Sequence, residues 1–272
     1  MTKNLDKEGL RVIADDYDLF YIDLWGVVHN GIKLHQQAIL TINQILKIKK
    51  NFVLLTNAPR PNEAVRVFLE KMGLEKKIRD HVFTSGEAAL NYLKKNYPTE
   101  KFYHIGPPRD FDLFNDFKKN QSKNLDKSEY FLCTGLFDNH DSDLNYYREL
   151  LEKYTNKNMI CTNPDLIVDR GKKRELCAGS VAMVFEKLGG KVIYFGKPYP
   201  EVYNQSFDNN GKKILSIGDN LNTDIKGANL LNYDSLLISN GIHKNEIKNK
   251  GLKKVCIEYE SIVNFIQEEL KW

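Results

Sequence analysis

The chain has 272 residues, of which 42% are hydrophobic and 11% aromatic, and 40 Lys+Arg against 36 Asp+Glu leave a net charge of +4. Such a composition fills a real core and excludes intrinsic disorder, a collagen repeat and a mini-protein scaffold, while the mild, dispersed charge gives no case for nucleic-acid binding. The charged opening segment (Lys3, Asp6, Lys7, Glu8, Arg11, Asp15, Asp16) lacks the apolar stretch of a signal peptide, and no apolar run approaches the roughly 20 residues of a membrane span.

In chain order, an apolar strand over 19–24 is followed by a helix over 36–49, whose Ile39, Ile42, Ile45, Leu46 and Ile48 form one stripe. A strand at 52–56, a helix over 62–72 closed by Gly73, a short strand at 81–84 and a helix over 86–96 come next. From about 97 to 190 the texture changes. Strands are expected at 101–105, 129–133 and 159–162 and helices at 144–154 and 178–188, with Pro107-Pro108 as a break and 120–128 as a polar loop. The first pattern resumes with strands at 192–195, 213–217 and 235–238 and a helix over 200–209. Short apolar strands alternating with amphipathic helices indicate an α/β fold with a largely parallel sheet, interrupted by an inserted domain. The expected division is 1–96 with 191–272, and 97–190 between them. The lysine-rich segments 118–127 and 244–254 read as solvated faces and turns. Cys133, Cys161, Cys177 and Cys256 lie far apart without a CxxC pair, which suggests reduced thiols and a cytoplasmic protein.

In a parallel α/β sheet, ligands bind where the carboxyl ends of the strands meet. Four such ends carry polar groups: Asp23 in Ile22-Asp23-Leu24-Trp25-Gly26, Thr56-Asn57, Lys197 in Gly196-Lys197-Pro198, and Asp219 in Gly218-Asp219-Asn220, with Asp224 one turn on. Each alone has a plain reading, as helix cap, turn former or solvated lysine. Together they supply a carboxylate nucleophile, neutral donors, a cation and further carboxylates, the parts of metal-assisted phosphoryl transfer through an aspartyl phosphate.

The order and wording of these segments resemble the haloacid dehalogenase superfamily, with Asp23, Thr56, Lys197 and Gly218-Asp219/Asp224 in the slots of its four motifs. The insertion, with Cys161-Thr162-Asn163-Pro164-Asp165 and Gly179-Ser180, resembles the large cap of the class IIA branch of phosphatases. The resemblance implies a Rossmann-like parallel-sheet core with an α/β cap, acting on a small phosphorylated metabolite, and a homodimer through the cap. It implies that Asp23 attacks phosphorus and, with Asp219, the carbonyl of Trp25 and Asp224, holds Mg²⁺. Thr56 and the amides of Leu24 and Asn57 would bind phosphoryl oxygens, and Lys197 would neutralise charge.

One position departs from the family. Its phosphatases carry a second aspartate two residues after the nucleophile, as general acid and base; here that residue is Trp25, whose indole has no titratable proton near neutral pH. Slow hydrolysis of esters with good leaving groups, a substitute acid, a different reaction, or binding without turnover all follow as alternatives. His29 is the best-placed substitute, although a histidine beside Asn30-Gly31 also reads as a surface turn residue. Trp25 itself would wall the pocket or stack on an aromatic substrate. For specificity, Arg60 and the cap residues Asn163, Asp165, Asp169, Arg170, 172–174, Gly179 and Ser180 are expected over the substrate.

Overall fold

The computed structural model describes residues 2–170 and 173–272, so Lys172 lies outside the described residues. In chain order the strands are β1 (Lys3–Asn4), β2 (Leu19–Ile22), β3 (Asn51–Thr56), β4 (Val82–Thr84), β5 (Phe102–Ile105), β6 (Gln121–Ser122), β7 (Tyr130–Cys133), β8 (Asn158–Cys161), β9 (Ile167–Arg170), β10 (Lys173–Leu176), β11 (Lys191–Tyr194), β12 (Ile214–Gly218), β13 (Asp234–Ile238) and β14 (Phe265–Gln267). They form a seven-stranded sheet of order β1-β14-β13-β12-β2-β3-β4, a five-stranded sheet β11-β8-β7-β5-β6, and the hairpin β9-β10. The architecture is the expected α/β, with a parallel core sheet and a second parallel sheet inserted.

By contacts the chain forms two compact units, Met1–Thr56 with Arg66–Phe83 and Tyr203–Trp272, and Asn57–Val65 with Thr84–Val202. In the first unit every described pairing from β1 across to β3 is parallel. Its central strands are buried along their whole length: β2 runs Leu19, Phe20, Tyr21, Ile22 and β12 runs Ile214 to Gly218, as expected of strands covered on both faces. Helix Gln36–Lys47 buries Ala38, Thr41, Ile42 and Ile45, one side of the stripe read from the sequence. Gly73, at φ +87°, ends helix Asn62–Lys71 as expected, with the amides of Gly73 and Leu74 donating to the carbonyls of Glu70 and Leu69.

The second unit packs Phe131, Met159, Tyr147, Val181 and Phe185 into its own core. The strand expected to reopen the first unit forms at Lys191–Tyr194, but it pairs with β8. The cause is local. After helix Ala178–Lys187 the chain turns at Gly189, φ +93°, and runs back beside β8, so β8, helix and β11 form one parallel crossover. Segment 244–254, read as solvated faces and turns, forms largely the helices Lys244–Lys250 and Leu252–Glu258; its lysines are exposed as expected, while Ile247, Leu252 and Val255 pack with Leu221, Ile225 and Leu237. No helix among the described residues is long and apolar enough to cross a membrane.

Candidate active site

In the first unit, β2 lies beside β12, with Ile22 opposite Ile217. One residue beyond the ladder, the Asp23 amide donates to the Ile217 carbonyl at 2.9 Å, so Asp23 leaves the sheet level with the end of β12 and the Asp219 that follows it. Asp224 is brought back by a wide turn, Leu221–Ile225, in which the amides of Asp224 and Ile225 both donate to the Asn220 carbonyl, at 3.0 and 3.2 Å. The Asn220 amide in turn donates to Asp224 Oδ2 at 3.1 Å, and the Ile242 amide to Asp219 Oδ2 at 2.9 Å. Asp23, Asp219 and Asp224 are 7, 8 and 2% exposed, and each presents a carboxylate oxygen within 4.8 Å of the other two.

Three like charges this close and this sheltered from water oppose one another, and a hard divalent cation with oxygen ligands is the partner such a set fits. The close approach dictates the glycine of the first motif. Gly26 sits at φ +87°, and a methyl group there would overlap the Asp219 carboxylate, as would one at Gly241.

A group the sequence reading missed supports this loop. His243, 7% exposed, accepts the Leu221 amide on Nε2 at 3.2 Å while Nδ1 meets Glu246 Oε2 at 3.1 Å, so the ring carries its proton on Nδ1. Glu246 also accepts from Tyr259 and Lys250, at 3.1 and 3.2 Å, and its pKa is lowered, first by the His243 hydrogen bond. The segment Asn240-Gly241-Ile242-His243 therefore holds the loop carrying the carboxylates at both Asp219 and Leu221. Only the Asn-Gly turn after β13 hints at this in the sequence. Replacing His243 with Ala is expected to weaken the affinity of the three carboxylates for a divalent cation ~10-fold, the usual effect of removing a support behind metal ligands. A Mg²⁺ binding titration, alongside thermal melting, checks it.

Trp25 is half-buried and turns along the loop after the strand. Its indole lies against Gly31, where φ is +82° and a methyl group would strike the ring, and meets the His29 imidazole edge-on at 5.2 Å between centroids. His29 is 3% exposed, packs on Phe68 at 5.8 Å, and accepts the Gly31 amide on Nδ1 at 2.9 Å. Burial, with a smaller contribution from His35, pushes its pKa down to about 4. His29 is thus a neutral ring braced by main chain at physiological pH rather than the surface turn residue of the plainer reading, and a poor reservoir for the proton that a substitute acid must carry.

Thr56, 7% exposed, closes β3 in the first unit; Asn57 opens the second. The Asn57 side chain grips Lys197 by its main chain, accepting from the Lys197 amide at 2.7 Å and donating to the Lys197 carbonyl at 3.0 Å, and it donates also to Asp165 at 3.1 Å. Lys197 is 3% exposed. Four of the cap residues singled out for specificity, Asn163, Asp165, Gly179 and Ser180, lie in or beside this clamp. Asn163 Oδ1 accepts the Asp165 amide, Gly179 packs under the carbonyls of Pro164 and Asp165 where a side chain has no room, and Ser180 donates to the Leu166 carbonyl at 2.7 Å. Arg60, expected to reach substrate, pairs with buried Asp110 at 3.1 Å and donates to the Arg109 carbonyl.

The family model for haloacid dehalogenase-like hydrolases matches residues 20–118, and a second, HAD-hydrolase-like model matches 194–258. Among solved structures, a hydrolase of the haloacid dehalogenase-like family from Brucella suis is 32% identical at a TM-score of 0.78, over 87% of this chain and 90% of its own. A glycerol phosphate phosphatase from Mycobacterium tuberculosis, in complex with magnesium, is 23% identical at 0.65, over 85% of this chain and 70% of its own. Phosphoglycolate phosphatase 2 of Arabidopsis thaliana is 26% identical over 96% of both chains.

Proposed function

This chain belongs to the haloacid dehalogenase superfamily, and from that premise we infer that it hydrolyses a small phosphomonoester through an aspartyl phosphate on Asp23. The buried carboxylate triad at the ends of β2 and β12 is the observation that carries the reading. The Asp23 carboxylate attacks phosphorus; the new Oδ–P bond forms as the ester P–O bond breaks, and its electron pair departs with the alcohol oxygen. Water then attacks the aspartyl phosphate, freeing inorganic phosphate and the carboxylate.

The Thr56 hydroxyl and the amides of Leu24 and Asn57 bind the phosphoryl oxygens, and Lys197 offsets the negative charge shared by nucleophile and substrate. Asp23, Asp219, Asp224 and the Trp25 carbonyl would hold Mg²⁺, which would supply the charge neutralisation that lets an anion approach an anion. The clamp of Asn57 on the Lys197 main chain supports a role for that lysine, because a hydrogen-bonded backbone keeps the long side chain's origin fixed.

The purified protein is expected to release p-nitrophenol from p-nitrophenyl phosphate with Mg²⁺ and to stop on chelation. The presence of Trp25 favours one rival, a phospholigand-binding protein without turnover. Vanadate binding without Mg²⁺-dependent release would select that rival.

A further inference from the structure

We propose that the site is confined to phosphate carried on a leaving group that is stable as an anion, an acyl or aryl phosphate, and that it turns over alkyl phosphates poorly. The inference rests on the aspartyl-phosphate reading and narrows its substrate class. When the P–O bond breaks, its electron pair stays on the leaving oxygen. An alcohol oxygen needs a proton at that moment; a carboxylate or an acidic phenolate does not.

The loop that should supply the proton does not hold one in reach. Trp25 fills the position, and its indole is committed sideways, against Gly31 and edge-on to His29, rather than presenting an acid. His29 is enclosed by Trp25 and Phe68, and its Nδ1 lone pair is taken by the Gly31 amide. The same loop is bound to its own backbone: the amides of Val28 and His29 donate to the Leu24 carbonyl, and that of Gly26 donates to the His29 carbonyl. Turning the His29 ring toward a leaving group would give up its bond from the Gly31 amide, and shifting its main chain would break the backbone bonds together. The Asp23 attack needs none of them, so phosphoryl transfer to Asp23 survives while assistance to the departing oxygen is lost.

The test is kcat/KM, which reports the first irreversible step, across phenyl phosphates of similar size and graded phenol acidity, with acetyl phosphate and glycerol phosphate alongside, at fixed Mg²⁺. The rate is expected to fall about tenfold for each unit by which the leaving group's pKa rises, the full response of an unprotonated leaving oxygen. Acetyl phosphate should show a high kcat/KM. Glycerol phosphate should bind, read as competitive inhibition of p-nitrophenyl phosphate release, yet yield about 10²-fold or more less phosphate than the aryl esters. A flat series, or glycerol phosphate hydrolysed as fast as the aryl esters, overturns the proposal while leaving the phosphatase reading intact, because another group would then be donating the proton. No Mg²⁺-dependent turnover of any of these compounds overturns both.

Discussion

Asp23→Asn lowers kcat by about 10⁵-fold or more while the protein stays folded, the scale on which enzymes lose activity when a covalent nucleophile is removed. The amide matches the carboxylate in shape, and the main chain of residue 23 is fixed independently by its bond to Ile217, so the geometry of the strand end survives. What is lost is the electron pair that attacks phosphorus. The substitution also removes one of three crowded like charges, so the melting temperature should hold or rise in the absence of metal. Steady-state kinetics and a thermal melt check both halves. Wild-type turnover in Asp23→Asn would mean that the attacking group lies elsewhere.

Trp25→Asp acts in the opposite direction. A carboxyl two residues after the nucleophile restores a proton donor for the leaving oxygen and a base for water, a contribution of about 10²- to 10⁴-fold. In kcat/KM the gain should fall on alkyl phosphates and spare acidic phenols, whose departure needs no proton; for acidic phenols it should appear in kcat alone, through the base for water. Losing the indole also exposes Gly31 and His29, at a cost of about 2 kcal/mol in stability. A lowered melting temperature with a raised rate on glycerol phosphate is the expected pair. An unchanged rate in a folded Trp25→Asp protein would show that the missing carboxylate does not limit the wild type.

Much of the fold and the site was legible because the signals are local. An apolar strand ending in Asp23-Leu24-Trp25-Gly26, and another ending in Gly218-Asp219, announce themselves by composition, and their order along the chain matches that of the superfamily. The residues that hold the site in shape were not legible. The grip of Asn57 on Lys197 spans 140 positions, and His243 reaches Leu221 across 22, so neither leaves a periodic trace. The pairing of Arg60 with Asp110, 50 positions away, was hidden for the same reason. The pairing of β11 with β8 was not legible because a strand's sequence does not say which sheet it joins. His29 looked like a surface turn residue because burial by Phe68, on a helix that begins more than thirty residues later, cannot be read from its neighbours.

A carboxyl at position 25 would serve as acid for a departing alcohol and then as base for water attacking the aspartyl phosphate; without it the covalent intermediate should accumulate on a good substrate. Acid quench of wild-type protein mixed with acetyl phosphate and Mg²⁺, followed by peptide mass analysis, tests this directly. One phosphoryl group is expected on the peptide bearing Asp23, labile to hydroxylamine as an acyl phosphate is, and absent from Asp23→Asn. Phosphate found on any other residue, or steady turnover from a protein that never carries it, would contradict the role given to Asp23.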